Sequence, residues 1–177
     1  DSGDAANDAI DRGIFVIAAA GNDGGDDDDG DVASPASETA VIAVGGVTSS
    51  GTIWTGSSIG DNNGRLWPLP ILTPRNDPHK KPEVVAPAYR VPVINNQGTW
   101  SLVDGTSAAT VFVTGAIALL LENNPELAAN GSQGSASTVN DVKGYIVQSS
   151  KKQDSQNGHD NHYGYGLLQM DQLLIAA

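Results

Sequence analysis

The sequence predicts an α/β fold, a doubly wound and mainly parallel sheet with helices on both faces. Short continuous apolar runs, the mark of strands buried on both sides, alternate with segments whose apolar residues recur at helical spacing. Aromatic residues make up only 5% of the chain, so the core must be built from Val, Ile, Leu and Ala, the side chains that fill the gap between a parallel sheet and its helices. The 177 residues suffice for one domain with a single core, and the chain is read as a unit over 1–177.

Taken in order, residues 4–12 place Ala5, Ala6, Ala9 and Ile10 on one helical face, and Gly13 follows as a stop. Residues 14–19 and 41–44 are continuous apolar runs and predict buried strands. Shorter strands are expected over 52–54, 83–86 and 100–103, and residues 107–122 form the central helix. A linker rich in Gly, Ser and Asn over 130–137 leads to a helix over 138–149, with Thr138 as its cap and Asp141 three residues on. A last helix is expected over about 170–176. Residues 56–82 show no periodicity and carry Trp67 among prolines. Two readings apply to them, a surface loop on the sheet or an insertion that contacts a partner through Trp67.

Charge and composition exclude several classes of function. A net charge of -12 opposes nucleic acid as a partner, because neutralising phosphates requires basic patches. There is no cysteine, hence no thiol nucleophile and no disulfide. The longest apolar run, over 108–121, is interrupted by Thr110, Thr114 and Gly115, so no membrane span is expected. No signal peptide is visible at Asp1-Ser2-Gly3-Asp4, and a chain that begins this way is expected to be part of a longer one. Residues 23–31 hold six carboxylates in nine positions, which repel one another unless water, salt or a divalent ion screens them. A structural calcium held by Asp26, Asp28 and Asp31 is one reading, although the spacing departs from an EF-hand; a solvated acidic loop is the other.

Two motifs carry chemistry. Asp104-Gly105-Thr106-Ser107-Ala108-Ala109-Thr110 sets a serine hydroxyl at the start of the central helix, where the helix dipole favours an anion. By itself that is also an ordinary helix cap. Ile14-Phe15-Val16-Ile17-Ala18-Ala19-Ala20-Gly21-Asn22 is an apolar strand ending in small residues and an asparagine, whose carboxamide can donate to a developing oxyanion. By itself that is also a buried strand with an Asn turn.

Together these motifs resemble the subtilisin-like serine proteases. Residues 13–22 look like that family's strand with the oxyanion asparagine. Ala40-Val41-Ile42-Ala43-Val44-Gly45-Gly46 is similar to its next core strand, and Lys81-Pro82-Glu83-Val84-Val85-Ala86-Pro87 to the strand before the nucleophile. Gly105-Thr106-Ser107-Ala108-Ala109 matches the serine motif, and Gly164-Tyr165-Gly166-Leu167-Leu168 resembles the turn before the last helix. The resemblance implies a serine endopeptidase with Ser107 as nucleophile, Asn22 and the Ser107 N–H as oxyanion donors, and Thr106 supporting the hole. It also implies a substrate pocket lined by Ala19, Ala20, Gly21 and Gly105, with Pro35 nearby, often cis. A peptide or protein substrate, export from the cytoplasm and no cofactor for the chemistry are implied as well.

Departures are as instructive. Thr110-Val111-Phe112 stands where the family commonly has Ser-Pro-His, and Ala88 stands where it commonly has Gly, asking Ala88 for a backbone geometry that glycine accepts more freely. Family members order their triad Asp, His, Ser, and the first two precede the asparagine strand. Here only residues 4–12 precede it, so the fold is expected to be incomplete at its N-terminal side, with Asp and His supplied by an upstream segment or a second chain. His79, His159 and His162 lie in polar, turn-rich loops and are read as solvated rather than as general bases or metal ligands. Without a base the serine is a poor nucleophile, and the chain alone is expected to be nearly inactive. The alternative is a non-catalytic module of the same fold, serving as a scaffold or as a calcium-dependent adhesion unit.

Overall fold

The computed structural model describes residues 1–24, 32–60, 65–66, 71–72 and 74–177. Its central feature is a parallel sheet of β1 (Ile17–Ala19), β2 (Ile42–Val47) and β5 (Val84–Pro87) in the order β1-β2-β5, with Ile17 opposite Ile42 and Val44 opposite Val84. Two antiparallel ribbons accompany it: β3 (Arg65–Leu66) with β4 (Ile71–Leu72), and β6 (Val91–Ile94) with β7 (Trp100–Val103). The helices are α1 (Ser2–Ile10), α2 (Thr106–Asn123), α3 (Ala136–Ser149) and α4 (Met170–Ala176).

All six residues of β2 are buried, because successive side chains point to opposite faces and both faces are covered. Ile42 and Val44 join Val84 and Ala86 in one core with Ala109, Val113, Ala116, Ile117 and Leu120 of α2 and with Val142 and Ile146 of α3. Val41 turns the other way and packs with Ala6 and Ile10 of α1, while Ala43 packs with Ala20, Val32 and Ala36. This is the doubly wound arrangement expected from the alternating apolar pattern.

Several elements differ from expectation. Helix α1 starts two residues earlier, because the Asp1 carboxylate accepts the Asp4 N–H at 3.0 Å and serves as its cap. For α3 the cap is Ser135, whose Oγ accepts the Thr138 N–H at 3.3 Å; Thr138 is buried in the first turn and donates instead to the Gln133 carbonyl. The strand expected over 52–54 is a single bridge from Ile53 to Val47, since the chain reverses tightly and bonds Trp54 N–H back to Gly46 at 2.9 Å. Strand β6 is masked in the sequence by Pro92, which a two-stranded ribbon tolerates because each strand has a free edge. Residues 164–168 do more than turn: Val85 N–H donates to Gly166 and Leu168 N–H to Val85, so this segment lines the outer edge of β5. Ala88 keeps an ordinary φ and is fully buried, its methyl filling the space that Gly46 leaves; a Cβ on Gly46 would collide with it. The ends of the 56–82 stretch belong to the fold, since Ser57, Ser58 and Lys81 are buried, whereas Trp67 lies outside the described residues.

Helix α2 is longer and more continuous than the interrupted apolar run over 108–121 suggests. It has 18 residues and is long and apolar enough to cross a bilayer by length and composition, because its threonines and glycine lower its hydropathy too little to disqualify it. Its buried face, however, packs on the sheet as a core helix.

A buried charge cluster joins β2, β5 and α3. Lys81 Nζ and Lys143 Nζ lie 2.8 and 2.6 Å from Glu83 Oε1, all three side chains being at most 1% exposed. Glu83 Oε2 accepts the Ala43 N–H at 2.7 Å, and the lysines donate to the Val41 carbonyl at 2.5 Å and the Thr39 carbonyl at 2.6 Å. Two ammonium groups share one carboxylate, with Arg75 near, so the site carries excess positive charge. Burial first, and then the neighbouring cations against the pull of Glu83, bring the Lys81 ammonium down from 10.5 to about 8. Between those two values the unfolded chain holds the proton and the folded one does not, so stability rises with pH across that window. Chemical denaturation from pH 8 to 10.5 is expected to show a gain of roughly 3 kcal/mol that Lys81→Met removes.

Candidate active site

Both ends of the site leave the C-terminal edge of the parallel sheet, where α/β folds place their ligands. From β1 the chain runs through Ala20, whose N–H donates to Val44 at 2.9 Å, into Gly21 and Asn22. From β5 it passes through Ala88 and the β6–β7 ribbon to Asp104 and Gly105. The Gly105 N–H donates to the Ala88 carbonyl at 2.8 Å, and Asp104 Oδ1 accepts the Arg90 N–H at 2.7 Å, closing the base of the ribbon. Gly105 caps α2, and Ser107 is the second residue of the helix.

Thr106 joins the two ends. Its Oγ1 bonds with Gly21 N at 3.2 Å and with Gly21 O at 3.1 Å, and it stands 3.0 Å from Asn22 Oδ1. Asn22 Oδ1 also accepts the Thr106 N–H at 2.9 Å. A backbone N–H can only donate, so the carboxamide oxygen faces Thr106 and Nδ2 points the other way. A Cβ on Gly105 would stand 3.6 Å from Asn22 Nδ2, 3.7 Å from Asn22 Oδ1 and 3.8 Å from Ser107 N, so both nitrogens border the volume over this glycine. The Ser107 N–H, in the first turn of α2, has no acceptor among the described residues. Asn22 and Ser107 are exposed while Gly105 and Thr106 are buried, so the donors face solvent from a fixed base. Two N–H groups close together at the positive end of an 18-residue helix suit a negative charge that develops on a bound carbonyl.

The remaining expected pocket residues divide. Ala19 and Gly21 are half-buried beside Asn22, but the Ala20 methyl is fully buried among Val32, Ala36 and Ala43, which leaves only its backbone to face a substrate. The Ser34-Pro35 peptide is cis. Thr110 Oγ1 donates to the Thr106 carbonyl at 2.8 Å within α2.

His162 is exposed, as its loop suggests, whereas His79 and His159 are less solvated than theirs. His79 is half-buried beside the Glu83 cluster; burial, and then Lys143, lowers its pKa. Its Nδ1 is buried without a hydrogen-bond partner among the described residues. His159 Nε2 is 2.9 Å from the Pro82 carbonyl, its ring meets Tyr165 edge-on at 4.9 Å, and burial lowers its pKa. Asp160 accepts the N–H groups of His162 and Tyr163 in a local turn, a structural use of the carboxylate. Among the described residues no histidine hydrogen-bonds Ser107, and no group of three or more His, Asp or Glu could hold a metal. Asp26, Asp28 and Asp31 lie outside the described residues.

Ser57 and Ser58 give no signal in the sequence, because they lie in a stretch without periodicity. Ser57 Oγ accepts the Gly46 N–H at 2.9 Å, and Ser58 bonds on both sides of Asn22. Only the buried placement of these serines identifies them.

Comparisons with known proteins bear on the family and the fold. The family model described as the subtilase family, Peptidase S8, matches residues 1–166. The chain is 34% identical to Subtilisin NAT of Bacillus subtilis subsp. natto over 117 residues, 66% of this chain and 26% of that protein. It is 33% identical to Subtilisin DY of Bacillus licheniformis over 126 residues, 71% of this chain and 39% of that protein. Among solved structures, the self-cleaved protease domain of PatA matches with a TM-score of 0.68 at 21% identity, covering 97% of this chain and 53% of that one. The prenylagaramide maturation protease PagA matches with a TM-score of 0.69 at 22% identity, covering 98% and 54%. The chain thus spans about half or less of the length of the proteins it matches.

Proposed function

The chain belongs to the subtilase family, and from that premise we propose that it is the C-terminal part of the catalytic domain of a serine endopeptidase. The observation that carries this reading is that Asn22 Nδ2 and Ser107 N both border the volume over Gly105, while the Asn22 carboxamide oxygen is held by the Thr106 N–H. In the proposed reaction Ser107 Oγ attacks the peptide carbonyl and its proton passes to a histidine from the upstream part of the domain. The oxyanion is held by the two donors, the amine leaves with that proton, and water hydrolyses the acyl-enzyme. Thr106 fixes the direction of the carboxamide. Ala19, Gly21 and Gly105, with the backbone of Ala20, border the substrate.

Two surface features support an absent half that completes the site. Strand β1 lies at one end of the described sheet, with β2 as its only neighbour. Helix α2 exposes Val111 at 70%, Phe112 at 44% and Leu119 at 51%, an apolar stripe at helical spacing opposite its core face. We assign both to the segment that brings the histidine and its aspartate, and by family analogy we place the enzyme outside the cytoplasm.

The test is hydrolysis of an extended peptide by the complete catalytic domain and by residues 1–177 alone. Turnover is expected in the first and only background in the second. Turnover by 1–177 alone would place the base within this chain, and none by the complete, folded domain would favour the non-catalytic scaffold.

A further inference from the structure

We propose that Ser58 is a positioning residue for the oxyanion donor, holding the backbone on either side of Asn22 while Thr106 holds its carboxamide; the inference rests on the reading of Asn22 and Ser107 given above. Ser58 is 1% exposed and touches both residues that flank Asn22. Its N–H donates to the Gly21 carbonyl at 3.0 Å, and its Oγ accepts the Asp23 N–H at 3.3 Å. The hydroxyl also closes the space at Gly21, where a Cβ would stand 2.6 Å from Ser58 Oγ, and Gly21 itself holds a φ of +122°. Ser58 therefore fixes the peptide groups before and after Asn22.

The neighbouring Ser57 makes this brace rigid. Its Oγ accepts the Gly46 N–H of β2 at 2.9 Å, and its own N–H donates to the Trp54 carbonyl at 2.9 Å, so the pair hangs from the central strand. Thr106 holds the same turn from α2, through Gly21 and the carboxamide oxygen. The turn is thus held both from the central strand, through Ser57 and Ser58, and from α2, through Thr106. That matters because an oxyanion donor acts only when it stands about 2.7–3.1 Å from the position of the developing charge, and small displacements are costly. Thr106 alone fixes which way the carboxamide points. Ser58 fixes where its backbone stands.

Ser58 touches no reacting atom, so the effect must pass through Asn22, and a double-mutant cycle reads that dependence. In the complete catalytic domain, Ser58→Ala is expected to lower kcat about tenfold or more with KM unchanged, because the donor acts mainly in the transition state. On an Asn22→Ala background the same substitution is expected to change nothing further. Should Ser58→Ala unfold the domain, Ser58→Cys, which keeps the volume but offers only a weak acceptor, is carried through the same cycle. An unchanged kcat in an active wild-type background, or losses from the two sites that simply multiply, would overturn the proposal. Failure of a fluorophosphonate to label the folded wild type would instead overturn the nucleophile reading and this inference with it, so the two failures are distinguishable.

Discussion

Ser107→Ala in the complete catalytic domain is expected to lower kcat about 10⁶-fold, leaving KM and the folded structure nearly unchanged. That magnitude is the one known for the nucleophile of a subtilisin, and it is the loss expected if Ser107 has the role proposed for it. The direction follows from the site itself. Ser107 is exposed in the first turn of α2, and no side chain among the described residues hydrogen-bonds its hydroxyl, so its removal disturbs no packing and no cap. A residue that merely capped the helix would behave differently: its loss would cost about 1 kcal/mol of stability and leave turnover intact. Steady-state kinetics of a peptide substrate, beside thermal unfolding of the same variant, separates the two roles.

Asn22→Ala is expected to lower kcat by about 10² to 10³ with KM little changed, again on the scale known for a subtilisin's asparagine donor. Such a split marks an interaction made mainly in the transition state. The carboxamide oxygen is engaged by Thr106, at 2.9 and 3.0 Å, which leaves the nitrogen for a substrate. Removing the side chain therefore leaves the Thr106 N–H without its partner at a half-buried position, and a modest loss of stability accompanies the loss of rate. If KM rises while kcat holds, Asn22 binds substrate and transition state alike, and its role as oxyanion donor fails.

Much of this site is legible in the sequence because its parts are local. The strand that ends at Asn22 and the helix that begins at Gly105-Thr106-Ser107 each announce themselves by apolar runs broken by small residues. Their union is readable only through the resemblance, since no periodicity relates Asn22 to Thr106, 84 residues away. What escapes is the support. Ser58 looks like any loop serine until burial places it behind Asn22, and Glu83 gives no sign that Lys143, far along the chain, will share its carboxylate. The β6 strand escapes for a different reason, as proline is a strand breaker in a sheet interior but not in a two-stranded ribbon. At Ala88 backbone geometry points to a cost relative to glycine, whereas the deciding factor is the space vacated by Gly46 on the neighbouring strand. In each case local pattern sets the element, and contacts distant in sequence set its surroundings.

Everything proposed for this site depends on Ser107 being a nucleophile held beside two oxyanion donors. Labelling the complete, folded catalytic domain with a fluorophosphonate probe, followed by peptide mapping, tests it most directly. A single adduct on Ser107, absent in Ser107→Ala and slower to form in Asn22→Ala, is the predicted result; no adduct, or an adduct on another residue, would contradict it.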